Sequence, residues 1–461
     1  MNPTPPEDKL DFKKILPIFV IVLIDLLGLT IIIPLMPLYA TSFGANALLI
    51  GFLGAAYPIA QFLGAPILGR LSDRYGRRPV LIASQIGTFA GFLLLGAANS
   101  LWLLFLSRII DGLSGANIAT AQAAISDSTT EKTRTQGLGL LGAAFGLGFV
   151  VGPIIAFVSL AASSNNYHVP AFVAAGFSLL SIGLTWFWFE ETLPPEKRGL
   201  GDQKPSLSFG AMFQALRHPQ VGLLLILIFA QQIAFGGFEQ LLSLFTLSRL
   251  GLNASGNSII FVFVGIIVVM VQGGFIGPWS RKLGDRKLVY LGLATLSIGL
   301  ILTSLTPRQP LPSYSRAALE AELGATSDGR GHEMPTTSQV PVDLPPDDNN
   351  GWLGLIWILV AMIPASIGGG VLQPSLNSLI TKRVTLIEIG GMLGISAALL
   401  SAANAVAPLL GGALFQTLGS SAPFLTGGIL LGLLLIFAMR MIQPGREEEA
   451  PAGLARGGGG H

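Results

Sequence analysis

One acid and one acid–base pair stand where an otherwise apolar chain tolerates few charges. Asp25 lies in the run Leu23-Ile-Asp-Leu-Leu-Gly-Leu-Thr-Ile-Ile-Ile-Pro-Leu-Met-Pro37. Counted from Lys14 at 1.5 Å per helical residue, it falls roughly 16 Å deep, near the middle of a hydrocarbon layer about 30 Å thick. An ionised carboxylate there is costly unless it is paired, protonated or open to water. Asp25 can therefore be a carrier that gains and loses a proton, or a packing acid bonded permanently to a neighbouring helix. Arg108 and Asp111 are spaced i,i+3, on one helical face where each compensates the other. Counted from Leu101, Asp111 lies about 15 Å deep and level with Asp25. The pair can tune a carboxylate or touch a substrate, and it can equally be a neutral lock on its own helix.

Weaker candidates follow along the chain. Gln232, Phe235, Gly236 and Glu239 share one face by i, i+3, i+4, i+7 spacing. Gln373 and Asn377 are an i,i+4 pair, and Asn404 stands in the next apolar segment. Groups of this kind line a substrate cavity or bond between helices. Glu239 lies toward the far end of its segment, where a solvated rim position is an alternative to a functional one. His168, His218, His332 and His461 fall in loops or tails, so no histidine proton relay is expected. No phosphate-binding loop, nucleophile–base set or metal-ligand cluster is present in the sequence. An enzyme, a cofactor and a metal are accordingly not expected.

Composition decides what solvent these residues meet. Of 461 residues 51% are hydrophobic and only 11% charged, against about 25% charged in soluble proteins. Mean hydropathy is +0.66. Such a chain cannot cover a water-facing surface, so the lipid bilayer is its partner. A net charge of +2 argues against nucleic acid. Cysteine is absent, which removes disulfides and thiolate sites.

Segments of bilayer length lie near 15–40, 48–69, 79–97, 101–125, 137–160 and 170–189. A second set lies near 220–247, 258–279, 288–305, 351–380, 391–414 and 422–440. The expected architecture is an all-α membrane protein of twelve transmembrane helices, arranged as two pseudo-symmetric six-helix bundles around a central cavity. Residues 1–14 form an N-terminal tail, 15–189 the first bundle, 190–219 a linker, 220–440 the second bundle and 441–461 a C-terminal tail. Ser206 to His218 has amphipathic spacing and is expected to lie along the membrane surface.

The turn Gly69-Arg-Leu-Ser-Asp-Arg-Tyr-Gly-Arg-Arg78 carries four arginines, and Arg281 to Lys287 carries four basic residues. The turns near 41–47, 98–100 and 161–169 have neither Lys nor Arg. Basic loops stay inside, so both termini are expected to be cytoplasmic. Gly277 to Arg286 echoes Gly69 to Arg78 at a spacing of 208 residues, and Ala407-Pro408 echoes Gly152-Pro153 at 255. The difference places an insertion in residues 306–350, with seven acidic residues against three arginines. That composition suits a mobile outer loop rather than a packed element.

The turn resembles the loop between helices two and three of the major facilitator superfamily, G-x-L-x-D-R-x-G-R-R. The matching residues are Gly69, Leu71, Asp73, Arg74, Gly76, Arg77 and Arg78. Asp25 followed by Pro34 and Pro37 is similar to helix one of drug–proton antiporters, including tetracycline exporters. Arg108 with Gly112 matches the family's helix-four pattern. Gly148, Gly152 and Pro153 resemble the element that marks the antiporter branch. The resemblance implies a monomeric, proton-coupled exporter of small amphipathic organic compounds in a bacterial inner membrane, working by alternating access. Asp25, Arg108 and Asp111 would couple protons, and the Gly69–Arg78 turn would latch the cytoplasmic gate. For Asp73 that means bonds to a neighbouring helix N-terminus and to arginines of its own turn. In the second half Arg281 replaces this aspartate, so the latch there must differ or be missing. The spans 258–279 and 288–305 hold no acidic or basic residue, a departure from tetracycline exporters that points to another solute. A symporter or facilitator for a sugar or metabolite shares the fold, and a non-transporting receptor or scaffold is the rival from another class.

Overall fold

In the computed structural model the described residues are 12–115, 117–129, 134–198, 209–218, 221–325, 342–384 and 389–442. His332, His461 and most of both tails lie outside them. The first half runs α1 (Phe12–Ile32), α2 (Met36–Ser42), α3 (Ala47–Tyr75), α4 (Arg77–Gly96), α5 (Leu101–Ser114), α6 (Asn117–Asp127), α7 (Arg134–Ala162) and α8 (His168–Phe187). After the linker helix α9 (Phe209–Leu216), the second half runs α10 (Gly222–Leu250), α11 (Ala254–Met270), α12 (Ile276–Leu283), α13 (Asp285–Ser304), α14 (Arg316–Ala325), α15 (Leu353–Arg383), α16 (Ile389–Leu418) and α17 (Ala422–Met441). Among the described residues 11 helices are long and apolar enough to cross a membrane. The consecutive helices α5 and α6, each too short alone, supply the twelfth crossing.

Local chemistry explains where expected spans break. α1 stops at Ile32 because Pro34 has no N–H to continue the ladder, and Pro37 falls in the first turn of α2. The Pro34 carbonyl accepts from Ser243 Oγ of α10 at 2.8 Å. Between α5 and α6 the Gly115 carbonyl accepts from Gln61 Nε2 of α3 at 2.9 Å, and the Ser114 carbonyl accepts from Ser84 Oγ of α4. In an apolar medium freed backbone groups must find such partners. A π-helical turn, Val271–Phe275, joins α11 to α12 at a Gly-Gly pair.

Each half repeats one contact plan. α1 packs on α7 and α8, α4 on α5 and α8, and α3 on α5. Correspondingly, α10 packs on α16 and α17, α13 on α15 and α17, and α11 on α15. The halves meet through α3 against α16 and α7 against α11, two interfaces that the same repeat relates. At the end opposite the chain termini the seam is tight. A Cβ on Gly412 would stand 2.6 Å from the Ala47 carbonyl and 3.0 Å from Gly51 Cα. Ala47 N donates to Gln416 Oε1 at 3.2 Å, and Ser255 Oγ donates to Asn165 Oδ1. Toward the terminal end α12 buries none of its residues. The conformer is therefore closed at the end away from the termini.

Two expectations change here. Among the described residues the linker helix runs Phe209–Leu216 and stops short of His218, while residues 206–208 of its expected range lie outside them. The 306–350 loop, expected to be mobile, includes the ordered helix α14 with Leu319 and Leu323 buried. Two leucines one turn apart are enough to dock a short helix on an existing apolar surface. Residues 326–341 of this loop lie outside the described residues.

Candidate functional site

Asp25 and Asp111 line the same small cavity of about 30 Å³, shared with Tyr57, Thr88, Phe92, Gly115 and Phe189. Arg108 Nη1 stands 3.2 Å from Asp111 Oδ2, both side chains almost fully buried, and the guanidinium carbon lies 5.5 Å from the Phe92 ring centroid. The pair can form because α5 sinks against its neighbours. A Cβ on Gly91 of α4 would come within 2.9 Å of Asp111 Cβ, so a larger residue would push α5 away. Asp25 takes a partner that sequence reasoning missed. Gln85 Nε2, fully buried on α4, reaches Asp25 Oδ2 at 3.4 Å and donates to Ser181 Oγ of α8 at 2.8 Å. A lone glutamine carries no signal in a single sequence, so nothing marked it.

Gly148 and Gly152 of α7 pack on α1 beside this acid. A Cβ on Gly148 would lie 3.4 Å from Leu26 Cβ, and one on Gly152 would collide with Thr30 Oγ1. Pro153 continues α7 within the helix. The glycines thus set the distance between α7 and the helix that carries Asp25.

At the terminal end, the Gly69–Arg78 turn centres on Arg77. Its Nη1 donates to Asp73 Oδ1 at 2.6 Å and to Ser72 Oγ at 3.1 Å, and its Nε donates to Asp127 Oδ2 of α6 at 2.9 Å. Gly76 adopts φ +106, a conformation left to glycine. The first backbone amides of α4 are taken by Glu191, beyond α8: Arg77 N donates to Oε1 at 2.9 Å and Arg78 N to Oε2 at 3.2 Å. Asp73 therefore pairs with its own turn, while the helix N-terminus beside it belongs to Glu191. Arg78 Nη2 donates to the Trp186 carbonyl, Arg74 stacks over Tyr75, and Gly69 has open space around it. Glu191 was missed because its partner lies more than 100 residues away in sequence.

The polar residues of the second half bond between helices. Gln232 Nε2 donates to Asn404 Oδ1 at 2.7 Å, Gln231 Nε2 approaches Gln373 Oε1 at 3.4 Å, and Ser396 Oγ donates to Asn377 Oδ1 at 3.1 Å. These bonds tie α10 to α16 and α15, and α15 to α16. Phe235 packs on Gly369, whose Cβ would stand 2.8 Å from the ring. Glu239 is half-buried on α10, one turn before Ser243. His168 begins α8, its Nδ1 lying 3.0 Å from Tyr39 Oη and 2.9 Å from the Gly96 carbonyl. Among the described residues no cluster suited to a metal ion occurs.

Twelve crossings in two repeated halves, with buried charges on an internal cavity, define a membrane transporter by fold. The sequence model of the Major Facilitator Superfamily matches residues 18–352, and the chain belongs to that family. It is not an enzyme family. The chain is 28% identical over 399 residues to "Tetracycline resistance protein, class B" of Escherichia coli, covering 85% of this chain and 86% of that one. It is 28% identical over 288 residues to "Multidrug resistance protein 2" of Bacillus subtilis (strain 168), covering 61% and 71%. Among solved structures it resembles the human organic anion transporter MFSD10 (TETRAN), with a TM-score of 0.63 and 22% identity over 94% of this chain and 100% of that one. A POT-family transporter in complex with a thioalcohol-conjugated peptide gives a TM-score of 0.67 at 14% identity, covering 93% and 96%.

Proposed function

We propose that this protein is a proton-coupled exporter of small amphipathic organic compounds, acting as a monomer in a bacterial inner membrane. The observation that carries the reading is the shared cavity of Asp25 and Asp111 beside the α1–α7 contact set by Gly148 and Gly152. A proton arriving on Asp25 neutralises it and removes the desolvation cost that opposes closing water away from the cavity. Arg108, already paired with Asp111, links substrate occupancy to proton release, so each ligand shifts the population of open states. The Gly69–Arg78 turn holds α3, α4 and α6 together as the gate at the terminal end moves. The basic residues at that end support a cytoplasmic location for both termini.

The same reading assigns the domains: a first bundle over 15–189, a linker over 190–219 and a second bundle over 220–440. Away from helix ends, the charges of the spans are Asp25, Arg108, Asp111 and Glu239. Three acids against one base favour neutral or cationic solutes over anions. Gln232, Phe235, Glu239, Gln373, Asn377 and Asn404 form the second-half wall of the solute path, with Glu239 as its acid.

Asp25→Asn tests the reading. In inverted vesicles energised by a pH gradient, uptake of compounds identified in a toxicity screen should be lost while their binding persists. Unchanged gradient-driven uptake rejects Asp25 as the coupling acid. Movement of solute with the proton, rather than against it, rejects export.

A further inference from the structure

The inserted loop between α13 and α15 has its two ends tied to each other at its base. Arg308 Nη2 donates to the Leu344 carbonyl at 2.7 Å and pairs with Asp343 at 2.8 Å. Tyr314 Oη donates to the Pro345 carbonyl at 2.9 Å, Arg316 N donates to Asp347 Oδ1 at 2.9 Å, and Gly351 N donates to the Pro310 carbonyl at 2.8 Å. From this base α14 reaches over the closed seam. It lies on α2 of the first half and buries Leu319 and Leu323. Between those leucines stands Glu322, whose Oε2 accepts from Asn253 Nδ2 of the α10–α11 turn at 3.2 Å. Asn165, on the α7–α8 turn of the first half, hydrogen-bonds the same carboxyl group. Asn165 also accepts from Ser255, so one carboxylate and two asparagines join the halves.

We propose that α14 is a clasp across the seam, which must undock before the two halves part at the end away from the termini. Its apolar grip is Leu319 and Leu323 on α2, and its polar grip is Glu322 between Asn165 and Asn253. The groups facing Glu322 are these two asparagines and the buried Tyr167, with Arg316 and Glu320 on its own helix, while α2 carries no charge. Undocking exposes two leucines and frees one charged hydrogen-bond acceptor. The loop therefore sets how often this face opens. The inference rests on alternating access alone and needs neither proton coupling nor a known solute.

The absence of cysteine permits a direct test with paired spin labels. Trp102, 67% exposed at the start of α5, and Leu418, 69% exposed at the end of α16, place one label on each half at this end. In the otherwise unaltered protein, purified into lipid nanodiscs, a short interspin distance should dominate. Glu322→Ala and, separately, Leu319→Ser with Leu323→Ser should each raise the long-distance population roughly tenfold, the scale set by a lost charged hydrogen bond or two exposed side chains. Glu322→Gln, which retains shape and part of the bonding, should fall between. Distance distributions superimposable on the parent in both variants would overturn the clasp. So would a parent that already shows only the long distance. Absence of proton-driven export in the parent, with the variants' shift intact, would instead count against the proposed function.

Discussion

The two turns at the terminal end share a frame and differ in charge. In the first half Ser72 and Arg77 bond each other, and Arg77 reaches Asp127 on α6. In the second half Ser280 Oγ donates to Asp285 Oδ1 at 2.5 Å, and Lys382 Nζ of α15 donates to Asp285 Oδ2 at 2.6 Å. These are equivalent places in the repeat: Arg77 has become Asp285, and Asp127 has become Lys382. The glycines also match, Gly76 at φ +106 and Gly284 at φ +77. The ion pair between turn and neighbouring helix has moved rather than vanished in the second half. It is kept with the signs exchanged, because a pair bridging a turn to a neighbouring helix works in either polarity.

The inversion has a consequence for helix dipoles. A helix N-terminus is partly positive and is stabilised by acids. α13 begins with Asp285 and supplies its own. α4 begins with Arg77 and Arg78 and has no acid in its first turn. Glu191 repairs this from the segment beyond α8. The first half therefore depends on the linker for a charge that the second half carries internally.

Three experiments break or sharpen this comparison. The largest effect is expected from Asp285→Ala, which removes the buried carboxylate that Ser280, Ser378 and Lys382 all bond. Because Lys382 is 44% exposed, the loss is that of charge-assisted hydrogen bonds to Asp285, about 2–3 kcal/mol, visible as a lower melting temperature in detergent. Restoring stability with Lys382→Ala in the same chain would confirm that the pair is the unit, whereas a neutral Asp285→Ala would break the parallel with Arg77. Next, Gly76→Ala should cost about 1–3 kcal/mol for the backbone region alone. It should cost more than Gly284→Ala, because a Cβ at Gly76 would also meet the Glu191 carboxylate, while Gly284 has open space. Equal losses at the two positions would remove Glu191 from the account. The smallest effect is Glu191→Gln, about 1 kcal/mol for a charge at a helix N-terminus. That loss should shrink as salt rises, and thermal melts at low and high ionic strength check it.

Much of the architecture could be read along the chain, since apolar length and basic turns are local properties. Twelve crossings, the repeat and the inserted loop followed from residue order alone. The breaks at Ile33–Leu35 and after Ser114 were harder. Pro34 announced the first to anyone weighing it against hydropathy. The second depends on Gln61 and Ser84 being close enough to satisfy freed carbonyls. The depth count that put Asp25 level with Asp111 needed only helical rise, and both line one cavity. Gln85 and Glu191 were invisible because amide and carboxylate side chains are common, and only their neighbours give them a role. Composition also misjudged α14: a polar average says little when two leucines do the docking.

By itself the sequence determined the solvent, the number of crossings and the places where charge is buried. Transfer free energy adds up residue by residue, so membrane insertion can be read from order alone. The tertiary structure decided which partner each charge meets, how the second turn inverts the first, and which face of the molecule is shut. Those depend on approaches of a few ångströms between helices far apart in the chain, a geometry that no local pattern encodes.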